Sequence, residues 1–231
     1  MMHGNMTYYA LTGLAMLVSW LVSKTLQRRF QQYSQLPIGI SGREIAERML
    51  RENDINDVQV VATGGSLTDH YNPASKTVNL SDVVYAQNNV AAAAVAAHEC
   101  GHAIQHAKGY APLKLRSTLV PVTNVSTKLS QWVLMAGMVL AAMGSSPIIF
   151  LIGIVLFGMS TLFSFITLPV EFNASSQALG WLRGSGYMPA EYQDEAQNAL
   201  KWAAMTYVVA ALASLGQLLY FVMRFMQMQR R

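Results

Sequence analysis

Apolar positions along this chain gather into four long blocks, at residues 6–22, about 131–143, 147–170 and 202–225, with mixed or polar chain between them. A helix that crosses a bilayer needs about 20 apolar residues. The first, third and fourth blocks approach or exceed that length, and the second does so if it extends back towards Val125 in a tilted span. The pattern predicts four spans. The second and third form a hairpin over residues 129–170, turning at Gly144-Ser145-Ser146. Lys24, Arg28 and Arg29 follow the first block, whereas a cleaved signal peptide carries its basic residues in front. The first block therefore reads as a retained signal anchor, a span in its own right.

Between the first and second blocks, residues 31–128 have another character: charged, rich in turn residues and without a long apolar run. Ser41 followed three residues later by Glu44 has the spacing of a capping box and predicts a helix over residues 42–52. Residues 58–61 and 77–80 read as two short strands, with Gly64-Gly65 and Asn72-Pro73 marking a loop between them. Residues 89–106 read as a longer, alanine-rich helix. The expectation is an α+β unit of about a hundred residues set between spans. A second polar segment, predicted to be helical, covers residues 171–201 before the last span at 202–225.

Composition sharpens this picture. Hydrophobic residues make up 52% of the chain and charged residues 12%, far from the balance of a soluble domain. The formal net charge is only +4, with no dense basic run, which argues for contact with lipid headgroups and against nucleic acid. The single cysteine, Cys100, excludes an internal disulfide. Near the span ends, Lys24, Arg28, Arg29, Lys114, Arg116, Lys128, Arg183 and Lys201 fall on the side of the α+β unit, against Arg224, Arg230 and Arg231 on the other. That asymmetry predicts a cytoplasmic α+β unit.

The candidate chemistry lies on the alanine-rich helix, as His98-Glu99-Cys100-Gly101-His102. Histidines four residues apart on a helix project from one face, about 6 Å apart along the axis, so both can reach one zinc ion. Glu99 between them is suited to take the proton of a zinc-bound water. A catalytic zinc needs a third protein ligand. His106 continues the series but stands about 12 Å along the axis from His98, too far to share one ion. Glu171, directly after the third apolar block, is the better candidate; the alternative is an interfacial acid at a helix start. An even number of crossings separates it from the histidines, which puts all three on one side of the membrane. Gly101 inside the helix suggests a close approach by another backbone.

Together, Leu67-Thr68-Asp69-His70-Tyr71-Asn72-Pro73, Lys76-Thr77-Val78-Asn79-Leu80-Ser81, the His98–His106 helix, Arg116-Ser117, Val120-Pro121-Val122 and Glu171-Phe172-Asn173-Ala174-Ser175 resemble the YugP-type neutral zinc metallopeptidases of bacterial membranes. More widely they resemble the HtpX-like and prenyl-protein glutamate-zincin membrane proteases. The resemblance implies an integral α-helical membrane protein of the bacterial inner membrane with a zincin-like α+β unit. It implies Zn2+ as cofactor and a protein or peptide substrate associated with the membrane. The wider group carries a Glu-x-x-Ala-Asp pattern; here Glu171 and Ala174 match, but Ser175 stands where the aspartate would be, which puts its contact with the metal ligands in question.

These lines converge on a zinc-dependent endopeptidase with His98, His102 and Glu171 on the metal and Glu99 as general base. His70, Tyr71 and Arg183 are further candidates for contacts to substrate or transition state, and residues 77–80 read either as a strand edge that pairs with extended substrate or as an internal strand of a small sheet. Two alternatives stay open on sequence: a non-catalytic scaffold clamped by zinc, and a zinc hydrolase of non-peptide bonds.

Overall fold

A computed structural model describes residues 2–229. The elements are α1 (Met2–Tyr33), α2 (Gly42–Glu52), β1 (Gln59–Thr63), β2 (His70–Asn72), β3 (Thr77–Ser81), α3 (Asp82–Tyr85), α4 (Val90–Ala107), α5 (Ala111–Ala142), α6 (Ile148–Gly184) and α7 (Gln193–Gln229), with a 3-10 turn at Ala190–Tyr192 before α7. Among the described residues four helices are long and apolar enough to cross a membrane, with mean hydropathy between 1.2 and 2.4 over their most apolar windows. Leu14, Met16, Trp132, Ile152 and Leu162 on these helices are exposed, as side chains facing lipid would be.

The chain divides into two compact units. The first comprises the chain up to Leu21, Leu115–Leu168 and the chain from Thr206 onward. Within it α5 and α6 pack antiparallel and close. A Cβ at Gly137 would lie 2.3 Å from the Phe150 backbone nitrogen, and one at Gly153 would lie 2.8 Å from that of Leu134. Without a hydrophobic drive between helices in lipid, such small residues provide the contact. Phe150, Phe157, Tyr220 and Phe221 form an aromatic cluster in the same unit.

The second unit comprises Val22–Lys114 and Pro169–Met205. Ser41 caps α2 in a complete capping box with Glu44, as the spacing predicted, and Asn89 caps α4 by accepting from the Ala92 amide. Helix α4 is buried nearly all round. Ala91, Ala92, Ala93, Ala94, Ala96 and Ala97 are fully enclosed, and their small side chains let α2, α3 and the sheet close on it. Ile45, Met49 and Leu50 of α2 and Val78 and Leu80 of β3 complete the core with Ala178 and Leu182 of α6.

Three expectations are corrected here. First, residues 70–72, assigned above to a loop, form β2, so His70 and Tyr71 stand on a strand. The sheet order is β1-β3-β2, with β1 parallel and β2 antiparallel to β3. Second, β3 is therefore central and both its sides are spent on neighbours; residues 77–80 offer no edge to a substrate. Third, the polarity changes at residues 128 and 171 are not helix boundaries. α5 starts at Ala111, and α6 runs unbroken through Pro169 to Gly184. Hydropathy reports the surroundings of a helix, not its ends, and Glu171 sits well inside α6 instead of at a helix start.

Candidate metal centre

Helix α4 carries His98 and His102 on one face, and α6 brings Glu171 against it. Their ligating atoms, the two imidazole nitrogens and a carboxylate oxygen, all lie within 4.8 Å of one another. Glu171 Oε2 is 3.3 Å from His98 Nε2 and 3.7 Å from His102 Nε2. In a tetrahedral site with zinc–ligand distances of 2.0–2.1 Å, ligand atoms stand roughly 3.4 Å apart. The donor set, its burial and its spacing thus fit a divalent cation such as zinc, and these three residues could hold one. Glu171 is only 2% exposed and His102 is buried, a placement that is costly for charged groups unless they are compensated.

The close approach of α6 depends on Gly101. A Cβ there would lie 2.6 Å from the Ala174 carbonyl oxygen, so the glycine lets the turn bearing Glu171 reach the two histidines. This is the close backbone approach expected from a glycine inside the motif. Cys100 faces the opposite way, into the core beside the Ala46 carbonyl. Burial, and secondarily the charge of Glu99, holds its thiol pKa well above the usual value, so the sulfur stays protonated and inert. Burial alone would lower the pKa of His102. The carboxylates of Glu171 and Glu99 outweigh it and raise that pKa above its ordinary value, so the pocket favours positive charge.

Each histidine is also held from behind. Ser175 Oγ lies 3.1 Å from His98 Nδ1, so the residue that replaces the expected aspartate still reaches a histidine of the cluster, with a neutral hydroxyl. Gln105 Oε1 lies 3.1 Å from His102 Nδ1. Such outer partners orient metal-binding imidazoles. Ser175 was marked on sequence only as a departure that put this contact in question, and Gln105 was not singled out for its role; its only signal was the i+3 spacing from His102.

Glu99 accepts a hydrogen bond from the Tyr71 backbone amide at 3.0 Å, and the Tyr71 hydroxyl is 2.7 Å from His106 Nδ1. Tyr71 is thus brought to the site by its backbone, while its ring reaches His106, which contacts β2 instead of joining the metal cluster. His70 points elsewhere; its Nδ1 lies 2.7 Å from the Thr68 carbonyl oxygen, and its side chain is exposed. Arg183 is not brought to the site. It stands twelve residues beyond Glu171 on α6, about 18 Å along the axis, where it donates to Gln197 Oε1.

Two comparisons bear on this arrangement. Residues 8–226 match the family described as "putative neutral zinc metallopeptidase"; the chain belongs to this family. It is 40% identical, over 96% of its length and 97% of the relative's, to the protein called "Putative membrane protease YugP" of Bacillus subtilis (strain 168). No solved structure matches it.

Proposed function

We propose that this protein is a membrane-embedded endopeptidase that holds zinc with His98, His102 and Glu171 and uses Glu99 as its general base. The observation that carries this reading is the His98–His102–Glu171 cluster with Glu99 between the two histidines on the same helix. Zinc held by these residues would supply Lewis acidity, polarising water and the scissile carbonyl. Glu99 would take the proton of the attacking water and later deliver it to the leaving amine. The Tyr71 amide fixes Glu99 Oε2 and so leaves the other carboxylate oxygen to turn towards the water.

The substrate is a peptide or protein segment at the membrane. The strand beside Glu99 is β2, an edge strand with only β3 as its neighbour, so β2 replaces residues 77–80 as the place where extended substrate would add. The basic residues Lys24, Lys114, Lys128 and Lys201 near the span ends support an orientation with the site at the cytoplasmic face of the bacterial inner membrane.

Glu99→Gln tests the mechanism. The variant should keep its zinc and lose two to four decades of proteolytic rate on an unfolded protein substrate, the usual cost of a missing general base. Undiminished proteolysis would sink the mechanism. Zinc retained in both proteins without proteolysis in either would point away from an endopeptidase, to the scaffold or to the hydrolase of non-peptide bonds.

A further inference from the structure

Gln105 stands three residues beyond His102 on α4 and is 1% exposed, so its amide has no access to water. The amide makes three contacts in three directions. Nε2 donates to the Val170 carbonyl oxygen at 2.7 Å and to Asn173 Oδ1 at 2.9 Å. Oε1 faces His102 Nδ1 at 3.1 Å. The Val170 carbonyl has no hydrogen to give, so turning the amide over would set one oxygen against another in a buried place, at the cost of an unpaired polar group. The α6 side therefore fixes the orientation of the amide and leaves only an acceptor facing His102. An acceptor there requires Nδ1 to carry the imidazole proton. The Nε2 lone pair is then bare and directed to the side on which Glu171 Oε2 stands.

The same amide spans two helices. Val170 and Asn173 flank Glu171 on α6, so Gln105 ties the turn bearing one ligand to the helix bearing the other two. We propose that Gln105 is a positioning residue that selects the Nδ1–H tautomer of His102 and latches the Val170–Asn173 turn onto α4, so that the three ligand atoms stand together before the metal arrives. This rests on the reading of His98, His102 and Glu171 as the metal site. A neutral amide suits both tasks, since a carboxylate could accept from His102 but could not donate to Val170 and Asn173. A hydrocarbon could do neither.

The test uses the full chain in detergent, with zinc affinity from competition against a chelator. The tautomer of His102 is read from imidazole 15N shifts of the zinc-free protein at alkaline pH. Gln105→Leu should weaken zinc binding roughly 10- to 100-fold, the usual effect of losing an outer partner, and should show His102 in both tautomers. Gln105→Glu should weaken zinc binding yet keep the single Nδ1–H tautomer, because its carboxylate can only accept. A merely structural role would move both variants alike. Zinc affinity within twofold of the parent in Gln105→Leu, or the same tautomer mixture in both variants, overturns the proposal. If Gln105→Leu does not fold, an Nε2–H tautomer in Gln105→Glu overturns it alone. If His98→Ala holds zinc as tightly as the parent, the metal-site reading itself falls, and this inference with it.

Discussion

Glu171 is the residue on which the metal assignment turns. It lies between His98 and His102 at 3.3 and 3.7 Å, while His106 lies against Tyr71. If the free energy of a tightly held zinc is shared among its ligands, each accounts for about 3 kcal/mol, or roughly a 100-fold change in affinity. Glu171→Ala should therefore lose zinc to a mild chelator and lose proteolysis, whereas His106→Ala should keep its zinc. Metal content by mass spectrometry after chelation decides between them. Zinc retained in the first variant and lost in the second would reverse the assignment. The histidines were legible in the sequence because helical periodicity alone puts residues four apart on one face. Ser175 was legible only as the residue standing in the aspartate position, and Gln105 was not legible in its role, because the groups that hold its amide, Val170 and Asn173, come from another helix.

At the scale of elements, the site is an encounter of two helices, and Gly101 sets their distance. Gly101→Ala should gain about 1 kcal/mol in helix propensity. It should lose 1–3 kcal/mol to overpacking against the Ala174 backbone, which has no rotamer to escape into. The net is a loss of up to about 2 kcal/mol, so the zinc-free protein should melt unchanged or a few degrees lower. Metal binding is less forgiving. A Cβ at 2.6 Å from a carbonyl oxygen must back off by about 0.4 Å, twice the ~0.2 Å tolerance of metal–ligand distances. Zinc affinity should thus fall by at least about tenfold, measured by chelator competition beside a thermal melt. An unchanged affinity would show that α6 does not need this close approach. The elements also show where pattern reading stops. The capping box at Ser41 and the alanine-rich helix follow from local chemistry, but β2 spans only three residues and ends on Asn72, directly before Pro73, too short for an alternation to register, and it exists because β3 offers it hydrogen bonds.

For the whole molecule, the open matter is orientation. The proposed orientation, with the second unit in the cytoplasm, rests on the basic residues near span ends. Ser66 lies exposed between β1 and β2, and the chain's own cysteine, Cys100, is buried with its thiol held protonated. Ser66→Cys in intact cells should therefore react with a membrane-permeant maleimide and stay silent to an impermeant one. Prompt labelling by the impermeant reagent would invert the topology.

What the sequence determined by itself is what depends on neighbours along the chain. This includes four apolar helices, a capped α2, and a helix presenting His98 and His102 on one side with Glu99 between them. Composition and periodicity suffice there, since each feature is completed within a few turns of backbone. Only the tertiary structure decided that Glu171 arrives inside an unbroken α6, that β3 is central and β2 the edge, and that Arg183 lies far from the cluster. It also decided that Ser175 and Gln105 stand behind the two imidazoles. Most of these rest on contacts between residues 65 to 77 positions apart, or on ranking strands by their partners, and such contacts exist only after packing has chosen which surfaces meet.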